Sequence, residues 1–292
     1  MKVAVLGASG GMGSLFVRYF LERGDVVRGS DLRRGGRLAT KTSGGSVVPF
    51  KTNAEAVKGC DVVVIAVPMD STLKVAKEVA WRLKPGSTLI EISSVKGETL
   101  PALRKLIGRN VSLLSIHPLF GPALGSMRGM KIAVITRKEG MTGGPDAAAA
   151  RKLFPAARII PMSRKEHDKT MAVVLSLTHL LNVVYAGTVS QFLSPGEFMK
   201  VSTPNSSMQL TLAEAVLAQD PRLSYLIQAG NVYSAKVARA AQRELKRALE
   251  MIEGSDWDAF DEHFSKLAKL YKSDKRGSVV VSEIYSAAEK AA

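Results

Sequence analysis

The sequence predicts two domains of different class: an α/β domain on a doubly wound parallel sheet, then an all-α helical domain. Three observations carry this. Short apolar, β-branched runs alternate with amphipathic stretches through the first half. Strand signals almost cease after Pro161. The 292 residues, at roughly 150 per domain, leave room for two domains. The boundary falls near residue 162, dividing the chain into 1–162 and 163–292.

Lys2–Leu6 is a short apolar run followed by glycines. Ser14–Arg23 is amphipathic and is stopped by Gly24. Val26–Ser30 reads as a second strand. Asp61–Val67 (DVVVIAV) is almost wholly apolar and β-branched, the mark of a strand buried on both faces, and Pro68 ends it. Asp70–Leu83 is helical, and Pro85-Gly86 makes a turn. Ser87–Ile92, Val111–Ile116, Lys131–Thr136 and Arg158–Pro161 complete the strands. Ser163 with Glu166 three residues on fits a capping box, opening a helix that runs to about Phe192, where Pro195-Gly196 breaks the pattern. Helical periodicity returns over Ser206–Gln219, Pro221–Glu253, Ser255–Tyr271 and Val281–Ala291.

Composition narrows the function. Apolar residues make up 46% and charged residues 23%, an ordinary globular balance and not a disordered one. One cysteine, Cys60, excludes a disulfide framework, and four histidines leave little for a histidine-only metal site, so no metal is expected. No apolar run reaches the roughly 18 residues of a membrane span, and Gly and Ser interrupt the N-terminal apolar run after Leu6. The reading is a cytoplasmic protein without a membrane partner. There are 41 Lys+Arg against 26 Asp+Glu, a net charge of +15. That field suits anions of any size. No zinc finger or aromatic RNA-binding pattern accompanies it, so nucleic acid is not the expected partner.

The segment VAVLGASGGMG sets Gly7, Ala8, Ser9, Gly10, Gly11, Met12 and Gly13 between the first strand and the first helix. Glycines there let the backbone turn tightly and approach a pyrophosphate, while the helix N-terminus offers free N–H groups and partial positive charge. The spacing is G-x-x-G-x-x-G, with Ala8 where the strict pattern has its first glycine. Asp31 follows Gly13 by 18 residues, at the end of the second strand, where a carboxylate binds the ribose hydroxyls of NAD. Arg33 and Arg34 would suit the 2′-phosphate of NADP, so NAD is favoured with NADP left open. Ala66, Val67 and Pro68, at the end of a central strand, form the second edge of the cofactor crevice.

Two further segments end at the same sheet edge. EISSVKG carries Ser93, Ser94 and Lys96, and SIHPLFGP carries His117. A hydroxyl pair and an imidazole beside a nicotinamide suit dehydrogenation of an alcohol, because hydride leaves carbon while a proton leaves oxygen. His117 is the candidate base, since histidine titrates nearest neutrality. His167 and His263 read as structural or exposed.

The glycine loop, the AVP strand end, SSVKG and HPLFGP together resemble the prephenate dehydrogenase family of tyrosine biosynthesis. The similarity extends over EHDKTMAVVLSLTH (Glu166–His179) and STPNSSMQLTLAEAVLAQDP (Ser202–Pro221), and so covers most of the chain. It implies a Rossmann-like domain and a helical domain that also forms a homodimer. The implied reaction is oxidative decarboxylation of a small anionic substrate, prephenate or its amino analogue arogenate. His117 would accept the 4-hydroxyl proton, with Ser94 bonded to both the hydroxyl and His117. Ser93, Lys96, Ser176 and His179 are the implied substrate contacts, with a surface or structural pairing the alternative for Lys96 and a core histidine the alternative for His179. The chain departs from the family twice. Ala215 stands where many members carry a carboxylate-binding arginine, and Ala123 where many carry an acid. Arg222, Lys200 or Arg128 are the cations available as replacements, and a non-catalytic cofactor-binding relative is the competing reading.

Overall fold

The computed structural model describes residues 1–31, 41–42, 45–122, 126–137 and 143–272. Arg33, Arg34, Ala123 and the helix expected over Val281–Ala291 lie outside them. The described residues form two compact units, Met1–Ala172 with Tyr225–Val232, and Val173–Ser224 with the chain from Tyr233 on.

The first unit is a sheet wrapped by helices. In chain order its elements are β1 (Lys2–Leu6), α1 (Gly11–Glu22), β2 (Val26–Ser30), β3 (Lys41–Thr42), β4 (Gly45–Ser46), β5 (Val48–Phe50), α2 (Asn53–Ala56) and β6 (Val62–Ile65). There follow α3 (Thr72–Val79), β7 (Thr88–Glu91), α4 (Thr99–Leu106), β8 (Ser112–Pro118), β9 (Lys131–Ile135), α5 (Pro145–Leu153), β10 (Arg158–Met162) and α6 (Arg164–Met171). The main sheet has the order β10-β9-β8-β7-β6-β1-β2-β5. Six strands, β8 through β5 in that order, are parallel.

The apolar strands are buried on both faces, as their composition predicts. Val3, Val5, Val62, Val64 and Ile90 pack on one side with Phe16 and Phe20 of α1 and Phe154. Ala4, Leu6, Val63, Ile65 and Leu89 pack on the other with Val75, Val79 and Leu103. Alternation along each strand therefore fills two cores at once. Full burial of each phenylalanine contributes about 1.5–3 kcal/mol.

Two features differ from the sequence expectation of a wholly parallel sheet. β9 runs antiparallel to β8, and β10 runs parallel to β9. Among the described residues of the link from β8 to β9 there is no crossover helix, and the chain returns beside β8 reversed; a parallel neighbour needs a crossover. The short edge strand β5 was not anticipated.

The chain leaves β1 toward β2 on one side and returns to β6 on the other. At such a switch point the strand ends splay and leave a crevice at their carboxyl edge. The glycine loop and the Ala66–Pro68 turn flank this point.

The second unit holds α7 (Thr178–Val189), α8 (Pro195–Val201), α9 (Pro204–Leu217), part of α10 (Pro221–Gly230), α11 (Ser234–Glu253) and α12 (Trp257–Lys272). Residue 162 ends β10, and α6 beyond it belongs with the sheet unit. Between α6 and α7, Ala172–Leu177 is π-helical. Pro195 opens α8 at its first helical position, behind a Ser194–Glu197 capping box, where a proline lacks nothing the helix needs. The helix expected over Pro221–Glu253 is broken at Asn231. Gly230-Asn231 is a poor helix-forming pair, and the buried Asn231 side chain donates to the Asp168 carbonyl at 2.7 Å.

The helical run Arg164–Val189 is one that the search for an apolar run passes over. Its mean hydropathy of 1.6 over 18 residues makes it long and apolar enough to cross a bilayer by length and composition. Scattered Ser, Thr and His residues hid this from a search for an unbroken apolar run. Its first turns are bound into the sheet unit through His167 and Asp168, described below.

One position tests the packing. A Cβ on Gly13 would lie 2.8 Å from the Gly7 carbonyl carbon and 3.0 Å from the Ala8 Cα. Gly13→Ala is expected to cost about 1–3 kcal/mol, read as a lower midpoint of thermal unfolding. Gly108→Ala, with nothing within 4 Å of its Cβ, is the control and should change little. Equal midpoints for the two variants would contradict the close approach of α1 to the loop.

Candidate active site

The glycine loop is built by backbone bonds. The N–H groups of Gly7 and Ala8 both donate to the Ser30 carbonyl, at 2.9 and 3.1 Å, and Gly10 N–H donates back to Gly7 at 3.1 Å. Gly7 has φ +83°, and a Cβ there would sit 2.5 Å from the Ala66 carbonyl oxygen. Both the backbone angle and the approach of the Ala66–Pro68 turn therefore demand glycine. Ala66 is held in turn by its N–H bond to Leu6, 2.8 Å. Gly10 caps α1 without a side-chain bond, so the first turn presents uncovered N–H groups and the positive end of the helix dipole. A cradle of this kind fits a dinucleotide pyrophosphate.

Asp31 is joined to the same loop. Its Oδ2 accepts from the Ser9 N–H at 3.1 Å and from the Ser9 hydroxyl. The carboxylate thus lies at the end of β2 beside the glycine loop, as the sequence spacing predicts. A Cβ on Gly11 would lie 2.8 Å from the ring of Pro122, so the end of HPLFGP closes on the start of α1.

His117 stands near the carboxyl end of β8, paired across to Ala133 of β9. Its side chain is buried, 6% exposed. Its Nδ1 lies 3.0 Å from Nε2 of His167, and Nδ1 of His167 lies 2.8 Å from Oδ1 of Asp168. The two rings meet edge to face at 72°. Asp168 also accepts the backbone N–H groups of Lys96 at 3.1 Å and Gly97 at 3.0 Å. The helix α6 is thereby fastened to the SSVKG loop and to His117.

A second buried web lies beside the first. Lys96 Nζ donates to Glu91 Oε1 at 2.7 Å and to the carbonyl of Ile116, next to His117, at 2.7 Å. Glu91 further accepts the Ser93 N–H at 2.9 Å and the Ser115 hydroxyl. Both members of the ion pair are sealed from solvent, with side chains 0% and 1% exposed.

These surroundings set the titration of the site. Burial pushes the His117 imidazole well below its ordinary value of 6.5; repulsion from His167, were it protonated, and from the Lys96 ammonium pushes the same way. Burial also lowers His167, with the Asp168 bond opposing it. For Asp168, burial would raise the carboxyl, but the bonds from His167, Lys96 and Gly97 outweigh it and hold the group low. Lys96 is lowered by burial against the pull of Glu91. The arrangement therefore keeps a neutral imidazole beside an ionised carboxylate, the state a proton acceptor needs.

Of the residues singled out in the sequence, the sheet edge gathers Gly7 through Gly13, Asp31, Ala66 through Pro68, Ser93, Ser94, Lys96 and His117. Ser93 is turned inward, its hydroxyl 3.5 Å from that of Thr72. Ser94 is half-buried, and among the described residues the ring partner of His117 is His167 instead. Lys96 is committed to Glu91 and Ile116. Ser176 and His179 belong to the helical unit. There Ser176 accepts from the Ser234 hydroxyl at 2.7 Å, and His179 is buried with its Nδ1 unpartnered. Ala215 is exposed on α9.

Sequence reasoning missed His167, Asp168 and Glu91. A signal for Glu91 was present, because an acid inside the apolar strand TLIEI needs a partner, and Lys96 follows five residues later. For His167 the signal was weaker: a His-Asp pair in a helix's first turn reads equally well as capping.

Residues 22–134 match the family described as prephenate dehydrogenase, nucleotide-binding domain. Residues 163–266 match prephenate dehydrogenase, dimerization domain. The chain is 26% identical over 298 residues to a probable arogenate/prephenate dehydrogenase of Methanocaldococcus jannaschii, covering 97% of this chain and 66% of that protein. It therefore spans just under two thirds of that relative's length. A 4-amino-4-deoxyprephenate dehydrogenase of Streptomyces pristinaespiralis is 25% identical, with 91% of this chain and 90% of that one covered. The fold is shared with prephenate dehydrogenase from A. aeolicus in complex with hydroxyphenyl propionate and NAD+, at a TM-score of 0.75, 18% identity, and coverage of 94% and 98%. Both halves of the chain, the crevice-bearing sheet and the helical unit, thus carry the same signature, and the chain belongs to the prephenate dehydrogenase family.

Proposed function

We propose that the protein is an NAD-dependent dehydrogenase that converts prephenate to 4-hydroxyphenylpyruvate and CO2 in tyrosine biosynthesis. The observation that carries this is the neutral, buried His117 on the carboxyl edge of a sheet whose switch point bears a pyrophosphate cradle. The cofactor, when bound, supplies the hydride acceptor. The loop Gly7–Gly13 and the N-terminus of α1 hold its phosphates, and Asp31 takes the ribose hydroxyls, which favours NAD over NADP. Arg33 is the residue that would favour NADP.

At the reacting centre His117 accepts the proton of the 4-hydroxyl at Nε2. The electrons of the bond to the ring carboxylate enter the ring as CO2 departs, the hydride leaves C4, and the six-membered ring becomes aromatic. The proton then returns to the phenol oxygen. Ser94 is proposed to orient the hydroxyl, and Ser176 and His179 to contact substrate, the unpartnered Nδ1 of His179 supporting a role beyond packing. Lys96 acts from beneath, fixing the strand end that carries His117. The positive field of the chain steers two anions, cofactor and substrate, to the crevice. The helical unit is proposed to form a homodimer, supported by exposed Leu245, Ile252 and Phe264 (62–68% exposed).

Arogenate is the second reading, favoured by Ala215 in place of a carboxylate-binding arginine. A kinetic grid of prephenate, arogenate and 4-amino-4-deoxyprephenate against NAD and NADP separates the readings. Prephenate with NAD is expected to give the highest kcat/KM, with one CO2 released per NADH. No turnover in any cell by a folded, cofactor-binding protein would overturn the enzyme reading.

His117→Asn is expected to lower kcat by roughly 10²–10⁴-fold while NADH binding, followed by fluorescence, stays within about threefold. Full activity in that variant contradicts the base assignment. The pH profile gives an independent check. A base must be neutral to act, and a lowered imidazole extends the neutral form to lower pH, so kcat/KM should hold through 6.5 and fall only well below it. An acid limb centred at or above 6.5 contradicts the burial argument.

A further inference from the structure

We infer that Asp168 and His167 are positioning residues that fix the tautomer of His117, leaving its Nε2 as a bare lone pair aimed at a proton. The inference rests on the reading of His117 as the base and adds how that base is kept in working form.

The count of donors and acceptors around Asp168 fixes the assignment. An ionised carboxylate only accepts hydrogen bonds. Asp168 meets three donors or potential donors: the N–H groups of Lys96 and Gly97, and Nδ1 of His167 at 2.8 Å. The bond to His167 therefore requires the proton on Nδ1. A neutral His167 so protonated has a bare Nε2, and that atom lies 3.0 Å from Nδ1 of His117. Only a proton on Nδ1 of His117 makes this contact a hydrogen bond. The remaining nitrogen of His117, Nε2, is then necessarily the acceptor.

The opposite assignment fails at a nameable point. A proton on Nε2 of His117 leaves Nδ1 as acceptor, and His167 would have to donate from Nε2. With Nδ1 already donating to Asp168, His167 would then be a cation, in a side chain 0% exposed and near the Lys96 ammonium. Glu91 and Asp168 are the acids around this pair, and both are already engaged, by Lys96, Ser115 and Ser93 and by the two loop amides. During reaction the substrate proton stops on Nε2 of His117. The imidazolium so formed keeps donating from Nδ1, and the proton passes no further into the protein before it returns to the phenol oxygen.

The test uses variants at His167, which touches neither substrate nor cofactor in this account. His167→Leu removes the acceptor facing His117. It should lower kcat on the order of 100-fold, with KM and the NADH dissociation constant within about threefold. His167→Gln offers an amide oxygen to the same Nδ1–H and should recover most of the lost kcat. A Leu variant with wild-type kcat overturns the inference, as do Leu and Gln variants that lose kcat equally. His117→Asn is run alongside: if it stays active, the base reading has failed and not the relay alone. Nitrogen-15 NMR of the wild-type imidazoles needs no variant to fold. It should show His117 protonated at Nδ1 and bare at Nε2 at neutral pH, and the reverse pattern overturns the inference.

Discussion

The Asp168 carboxylate is the constraint on which the site depends. It takes the backbone N–H groups of Lys96 and Gly97 and the imidazole of His167 within 2.8–3.1 Å. These partners come from a loop at the end of β7 and from the first turn of α6, far apart in sequence. Without the carboxylate, two buried donors and the half-buried Gly97 N–H lose their acceptor, at about 1–3 kcal/mol for each buried one left unsatisfied. His117, on β8, is reached through His167, so loop, helix and strand converge on one anion. A rigid site follows from satisfied polar groups in a dry setting, where each bond is stronger and each omission costlier.

The Glu91–Lys96 pair supports the same geometry from below. Burying two charges is expensive, and a buried ion pair is poor evidence of stability in its own right. Here both ions make several hydrogen bonds: Glu91 receives Lys96, Ser93 and Ser115, while Lys96 also holds the carbonyl before His117. Their role is positional, since they tie β7, β8 and the SSVKG loop together beneath the imidazole. Lys96 also adds positive charge that helps keep His117 neutral. A residue read in the sequence as a substrate contact thus finds its partners inside the protein.

Much of the fold was legible because local signals agreed with the global arrangement. The strands β1 and β2 fall where hydrophobic runs and glycine stops put them, and Ser163–Glu166 forms the expected capping box. The glycine loop and Asp31 were legible because the tight turn after β1 constrains the backbone itself. The antiparallel β9 was not, since strand direction depends on the connection and not on the strand's own residues. Nor was the break at Asn231, whose cause is a bond to Asp168, more than sixty residues away. His167 escaped for a similar reason: its environment is assembled from three segments, and only tertiary structure shows which nitrogen faces which partner.

Asp168 is proposed to work through His117, and a double-mutant cycle on the single-turnover rate separates this from an independent role. Asp168→Asn and His117→Asn are compared singly and together in single-turnover reactions with prephenate and NAD. Asp168→Asn should slow the reaction in the wild-type background and make almost no further difference once His117 is Asn. Losses that multiply in the double variant would show that Asp168 acts independently, and would contradict the claim.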